Sequence, residues 1–405
     1  MDKQKPETYF GLPPEVRFCK KCVISNQRPN STVEFKAQKG ERKETLGFGG
    51  GGICDACRFA EMKDTAIDWA KREKELCDLC DRYRRHDGNY DCVVPGSGGK
   101  DSAYVSHILK YKYDMNPLTV TWSPHLYTDV GWRNMQNWIH RGGFDNILFT
   151  PNGRVHGLLT RLAFENLVHP FQPFIIGQKH VGPKTALTHK IPLIFYGENP
   201  AEYGNNIKDN DVPTMDEKFF AQDVTLDTLY LGGVKATDLV KNCNISINDL
   251  NPYLPAPAKE VKALGMQVHY LSYYLKWDPQ ENYYYAVEHT GFQANDERTE
   301  GSYSKYSSID DKIDPFHYYT TLIKFGLGRA SYDAAQEIRT NKITREEGVA
   351  LVRRYDQEFP KKYFKEFLDY MGISEARFWE VIDAARSPHL WEKVNGEWKL
   401  RHQAS

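Results

Sequence analysis

No run of apolar residues in this chain is long enough to cross a bilayer. The longest, such as Ile191–Tyr196, are strand-length, which argues against a membrane-spanning helix. The start, Met1-Asp2-Lys3-Gln4-Lys5-Pro6, is polar and leads into no apolar segment, so no secretory signal peptide is expected. Neither charge is in excess: 53 Lys and Arg stand against 54 Asp and Glu, a balance that speaks against a general nucleic-acid-binding surface. A disulfide framework is also missing, because eight cysteines without a secretory signal read as metal ligands or free thiols. These absences predict a cytoplasmic protein. What is present, 405 residues with 13% aromatics, suffices for a large folded core and for two domains.

The chain is organised around Asp91-Cys92-Val93-Val94-Pro95-Gly96-Ser97-Gly98-Gly99-Lys100-Asp101-Ser102. A β-branched run predicts a buried parallel strand, three glycines a sharp turn, and 102–110 an amphipathic helix. Backbone N–H groups brought close at the N-terminus of a helix are suited to phosphate. A Walker A loop does not fit, since Asp101 follows Gly99-Lys100 and Val94 stands where its first glycine belongs. A dinucleotide fingerprint does not fit either, because Asp101 occupies the place of its third glycine. The stretch resembles the Ser-Gly-Gly-x-Asp-Ser loop of the N-type ATP pyrophosphatases. That superfamily includes asparagine and GMP synthetases and tRNA thiolases. The resemblance implies ATP cleaved between its α and β phosphates.

Further strands are expected at 116–122, 145–150 and 191–197, with a fifth around 268–274. Helices are expected at 128–142, 154–167 and 184–189. Such alternation predicts a parallel, doubly wound α/β sheet whose ligands sit beyond the carboxyl ends of the strands. The backbone near Thr121-Trp122-Ser123 is then a candidate for adenine contact. Glu198, directly after a buried strand in Gly197-Glu198-Asn199-Pro200-Ala201-Glu202, is a candidate to hold Mg2+, orient ammonia or take a proton. Glu202 is weighed equally between function and a solvated loop. Residues 205–258, polar and turn-rich with some helical signal over 215–231, read as an insertion or lid.

Two Cys-x-x-Cys pairs, Cys19/Cys22 and Cys54/Cys57, suit tetrahedral zinc, with an iron–sulfur cluster as the weaker alternative. Cys77 and Cys80 share one face of a charged helix over 67–85. With no partner pair left, they read better as core residues than as a third metal pair. After 290 the chain predicts a mainly helical region, with helices at 317–324, 331–340, 344–355, 361–370 and 374–386. In Lys324-Phe325-Gly326-Leu327-Gly328-Arg329-Ala330, two cations flank a flexible turn. They could clamp pyrophosphate, or be ordinary surface cations at a glycine-ended helix. The expected organisation is a four-cysteine zinc module at 1–65, a nucleotide-binding domain at 66–290 and a helical subdomain at 291–405.

The paired cysteines, Ile-Pro-Leu-Ile-Phe-Tyr-Gly-Glu-Asn-Pro-Ala-Glu-Tyr-Gly at 191–204, Ser-Ile-Asp-Asp-Lys-Ile-Asp at 308–314 and the 324–330 motif occur together. As a set they resemble the N-acetyl sugar amidotransferases of bacterial surface-polysaccharide (O-antigen, lipopolysaccharide) pathways. The resemblance implies an ATP-dependent enzyme that turns a sugar acetamido group into an acetamidino group. Ammonia would come from partner subunits similar to a glutaminase and a cyclase; no glutaminase domain is evident in this sequence. It implies ATP and Mg2+ at Ser97, Gly98, Gly99, Lys100, Asp101 and Ser102, assistance from Lys324 and Arg329, and ammonia handling by Glu198. The alternative, a tRNA thiolase, would need a basic tRNA surface and a reactive cysteine near the crevice. Tyrosines at 283–285 and 303–306 are available for a sugar pocket.

Overall fold

The computed structural model describes residues 6–37 and 41–405. Met1–Lys5, on which the signal-peptide expectation rests, and residues 38–40 of the N-terminal module lie outside them. Five strands form one parallel sheet: β1 (Cys92–Pro95), β2 (Pro117–Trp122), β3 (Asp145–Phe149), β4 (Leu193–Tyr196) and β5 (Gln267–Tyr270), in the order β3-β2-β1-β4-β5. β1 is central. It pairs with β2 through Val94 opposite Thr119 and with β4 through Val93 opposite Ile194. The β-branched Val93 and Val94 are fully buried because helices cover both faces. The chain leaves β1 toward β2 and β3, then returns to its other side for β4. The connections therefore diverge at the carboxyl ends of β1 and β4, opening a crevice there.

The longer helices before and within the sheet are α1 (Asp55–Thr65), α2 (Trp69–Tyr83), α3 (Lys100–Tyr111), α4 (Asp129–His140), α5 (Gly153–Leu167) and α6 (Gln172–His189). Thr128 caps α4, its hydroxyl accepting from the Gly131 amide at 3.0 Å. Helix α6 is three times as long as the segment expected at 184–189. Pro173 in its first turn costs no hydrogen bond, but Pro183 and two glycines obscure the pattern in the sequence. It is buried on most of its surface, including Gln172, His180 and Thr185, and it packs against β1 and β2. The expected fifth strand ends at Tyr270, and Leu271–Tyr274 closes into a helical turn.

The 205–258 segment, expected as an insertion or lid, packs into the fold. Phe220, Leu229, Leu231, Leu239, Leu250 and Tyr253 are buried in the main core beside the sheet residues. Such burial fixes the segment against the fold. Its expected helical stretch holds only a short turn at Glu217–Phe219 and a small hairpin, Tyr230–Leu231 with Val234–Lys235.

Beyond β5 come α7 (Pro279–Thr290), α8 (Asp314–Phe325), α9 (Arg329–Arg339), α10 (Arg345–Tyr355), α11 (Phe364–Met371), α12 (Glu375–Ala384) and a hairpin, β6 (Trp391–Val394) with β7 (Glu397–Leu400). Thr344 and Glu347 form the expected reciprocal capping box on α10. The hairpin was not expected, although Asn395-Gly396, both at positive φ, is the turn that such a pair favours. These helices share the core of the sheet. Phe164 of α5 stacks on Phe378 at 5.3 Å, and Phe316 on Phe367 at 4.3 Å. Each such pair adds ~0.5–1.5 kcal/mol beyond its area burial. No helix among the described residues is long and apolar enough to cross a membrane.

Candidate active site

At the end of β1 the Gly96 amide still donates to Val120 O, 2.9 Å away, and the chain then turns into α3 at Gly99. Gly98 adopts φ +80°, and a Cβ there would lie 2.8 Å from Met135 Cα of α4; only glycine fits. Ser102 Oγ donates to Gly99 O at 3.0 Å, tying the helix start back onto the turn. Lys100 and Asp101 are ion-paired with each other, and Asn282 of α7 donates to Asp101 at 3.2 Å.

Three segments converge on this turn. The first is the loop after β4. Glu198 lies half-buried with its carboxyl pushed up to about 7, chiefly by burial and then by the charge of Asp101; Lys100 and the hydroxyl of Tyr203 act in the opposite sense. Tyr203 donates to Glu198 Oε1 at 2.6 Å. The second is 308–314. Burial and the neighbouring Asp311 raise the Asp310 carboxyl, while the Ser97 hydroxyl favours its ionised form, which places Asp310 beside the loop. Asp314 is pushed up to about 7 by burial, and Arg329 opposes the shift. Asp311 holds this segment against the end of β2. It accepts from the His125 amide at 2.8 Å and lies 2.7 Å from His125 Nδ1.

The third segment carries Arg329. Asp356 accepts from the amides of Gly328 and Ser331 and from the Ser331 hydroxyl, at 2.7–2.9 Å, and so fixes the turn that presents Arg329. Arg329 pairs with Asp333 at 3.1 Å and lies 4.3 Å over the ring of Tyr318. Burial disfavours its charge, but Asp333, Tyr318 and Asp314 more than offset that effect. Lys100, Tyr306, Ser307, Asp333 and Glu337 line one small cleft. Tyr306 stacks on Tyr283 at 4.3 Å.

Two residues singled out from the sequence have side chains that are committed to packing. Lys324 is fully buried, donating to Glu34 at 2.9 Å and to Leu167 O at 2.7 Å, and its ammonium is pushed down to about 8 by burial. These contacts tie the N-terminal module to α8. Trp122 turns its indole into the core, stacked on Phe149 at 5.0 Å and close against Gly177. Glu202 is also committed: it pairs with Lys63 of α1 at 2.7 Å. Sequence reasoning noted the charged 308–314 segment without choosing Asp310 or Asp314. It missed Asp333 and Tyr203, which only the fold brings in.

The four-cysteine site lies in the N-terminal module. Cys54 caps α1, Cys57 sits in its first turn, and all four thiols are fully buried. Their sulfurs lie within 4.8 Å of one another, with Cys19–Cys57 at 3.9 Å and Cys22–Cys54 at 3.8 Å. Tetrahedral zinc bonded at ~2.3 Å sets its sulfurs ~3.8 Å apart. Amides of Lys21, Cys22 and Cys54 donate to Cys19 Sγ, which favours thiolate. The donor set fits one metal ion. Cys77 and Cys80 join no such group among the described residues; Cys80 packs in a core with Cys92, and burial pushes its thiol up to about 12.

Comparison with known proteins adds three kinds of likeness. Residues 300–404 match the family described as LPS biosynthesis protein WbpG-like, C-terminal domain. A curated relative, the uncharacterized protein MJ1599 of Methanocaldococcus jannaschii, is 32% identical over 78 residues. That match spans 19% of this chain and about a quarter of the relative's length, 27%. Among solved structures, the U34-tRNA thiolase NcsA of Methanococcus maripaludis with its [4Fe-4S] cluster is 10% identical, with TM-score 0.28, over 82% of this chain and 92% of that one. The NH3-dependent NAD synthetase of Campylobacter jejuni is 14% identical, with TM-score 0.26, over 46% of this chain and 77% of that one. Asp310, Asp314, Arg329 and Asp333 of the crevice all lie within the region that matches the WbpG-like family.

Proposed function

We propose that this protein is an ATP-dependent amidotransferase that converts a sugar acetamido group into an acetamidino group, using ammonia from a partner glutaminase with a cyclase-like subunit. The observation that carries this reading is that the phosphate-type loop and the region matching the WbpG-like family meet on α4: Gly98 packs against Met135, and Asp310 against Gly131 one turn away. This supports a crevice shared by the phosphate-type loop and a region similar to a family of lipopolysaccharide biosynthesis.

An amide oxygen is a poor leaving group, so it must be activated before ammonia can replace it. The acetamido oxygen attacks the ATP α-phosphorus, and pyrophosphate leaves. Ammonia adds to the carbon of the resulting O-adenylyl imidate, loses protons, and AMP departs with the original oxygen. In this scheme Ser97, Gly98, Gly99, Lys100 and Ser102 hold phosphate at the N-terminus of α3. The carboxylates of Asp101, Asp310 and Asp314 are hard oxygen donors that suit Mg2+, which when bound neutralises phosphate charge. Arg329 adds positive charge to the same wall. Glu198 orients ammonia or takes its proton. The stacked Tyr283 and Tyr306 beside Lys100 offer a face for the sugar ring. The metal at Cys19, Cys22, Cys54 and Cys57 is proposed to be zinc with a structural role.

The test is mass spectrometry of acetamido sugars, free and nucleotide-linked, incubated with ATP, Mg2+ and ammonium. The expected product is lighter by about 1 Da, with AMP and pyrophosphate formed alongside, and it carries a basic amidine. Glutamine should replace ammonium only when the glutaminase–cyclase pair is added. ADP as product removes the proposal, and transfer of sulfur to tRNA replaces it with the thiolase alternative.

A further inference from the structure

Arg28 belongs to the four-cysteine module, yet its side chain stands at the crevice. Its Cζ lies 5.6 Å over the ring of Tyr203, the residue that holds Glu198, and 5.4 Å over the ring of Tyr332 on α9. The residue is only 7% exposed, and its Nη1 has no hydrogen-bond partner. No described carboxylate lies within 4.0 Å of its guanidinium. Burial disfavours its charged form, Tyr332 and Tyr203 act the other way, and the cation Arg339 adds to the effect of burial.

This arrangement is costly without a purpose. A buried guanidinium normally finds a carboxylate, because an uncompensated internal charge loses its hydration for nothing in return. The same module shows the normal solution: Lys63 pairs with Glu202, and Lys324 with Glu34. Lys63 and Lys324 also lie over aromatic rings, but Arg28 alone of these has the rings without a carboxylate; they orient a guanidinium plane without neutralising it. A planar fork with an unused N–H edge, kept charged beside a phosphate-type loop, matches phosphate oxygens.

We propose that Arg28 binds a phosphate group of the reacting complex, so that the four-cysteine module supplies a ligand-binding residue to the crevice. The phosphate belongs either to the pyrophosphate end of ATP or to the acceptor. The inference rests on the nucleotide reading of the 97–102 loop. The module is fastened in place for this purpose: Arg28 O accepts from Leu46 N at 2.8 Å, and Leu46 packs on Gly204, whose φ of +96° turns the chain beside it.

The experiment compares the full-length metal-loaded protein with Arg28→Met and Arg28→Lys. Binding of inorganic pyrophosphate with Mg2+ is measured by calorimetry, and melting temperature is followed with and without it. Arg28→Met should weaken pyrophosphate binding at least ten-fold while melting no lower than wild type, since it removes an unpaired buried charge. Arg28→Lys should recover part of the affinity. Unchanged pyrophosphate binding, with the KM for the converted acetamido sugar raised ten-fold and kcat little altered, supports the proposal and assigns the phosphate to the acceptor. Wild-type values for both ligands in both variants overturn it. So does a lower melting temperature in Arg28→Met with intact binding by the folded protein, which marks a structural residue. Failure of the wild-type chain to bind ATP or pyrophosphate removes the nucleotide reading and this inference together.

Discussion

Tyr203 donates a 2.6 Å hydrogen bond to Glu198, and both residues come from the short loop that follows β4. The bond holds the carboxyl toward Lys100 and Asp101 on the neighbouring loop, so two sequence-distant turns act as one electrostatic unit. Burial and Asp101 have raised this carboxyl to about 7, the range in which a group can both give and take protons.

A pH dependence follows. As a proton acceptor Glu198 works only when ionised, so kcat should rise with pH through about 7, and Glu198→Gln should be slow with that limb flattened. Stability should run the other way. A carboxyl raised from 4.5 to about 7 binds more protons folded than unfolded across that window, so stability falls as pH rises through it. Asp314 at about 7 and Asp356 at about 6 contribute with the same sign. Histidines whose pKa is lowered by burial, such as His107, His169 and His180, act with the opposite sign. The check is therefore the difference between ligand-free wild type and Glu198→Gln: wild type should lose stability relative to the variant as pH rises from 5 to 8, and a relative gain would contradict it.

Asp101 should be needed for turnover and not for folding. Its carboxylate is held by Lys100 and Asn282 at the start of α3. Asp101→Ala is expected to lose ~2 kcal/mol or more of transition-state stabilisation, read as a drop in AMP formation at unchanged melting temperature. Gly98→Ala should slow turnover as well, because the added methyl meets the backbone of α4 at a left-handed φ.

Lys324 should behave as a structural residue. Lys324→Met leaves Glu34 without its buried partner and Leu167 O without a donor. Breaking such a pair costs about 3 kcal/mol. The expected result is a clearly lower melting temperature with AMP production per folded molecule near wild type. A large loss of kcat in a fully folded variant would return Lys324 to the active site.

Metal analysis of protein purified without chelator should find about one zinc per chain, bound by the four thiolates. Cys54→Ser should lower metal content and melting temperature together, because the ligands also fix the start of α1. Since that module carries Arg28, the same variant should also weaken pyrophosphate binding. Metal-free protein with full stability would exclude a structural metal.

Much of this molecule was legible in the chain itself. A β-branched run followed by Gly96–Ser102 and an amphipathic helix specified a strand, a turn and a helix, because each of those preferences is local. Alternation of strands and helices implied a parallel sheet, and the Cys-x-x-Cys pairs implied one metal site. The region that matches the WbpG-like family contains the 308–314 and 324–330 motifs singled out from the sequence. Local preference could not reveal partners, and there the tertiary structure decided. Lys324 and Arg329 are alike in sequence, five residues apart. One is sealed against Glu34, while the other stands over Tyr318 beside Asp314. Arg28 carries no motif at all, and its place between Tyr203 and Tyr332 exists only because three distant segments pack together. Whether a charge is a tie, a ligand or a solvated surface group depends on what surrounds it, and burial is a property of the whole fold.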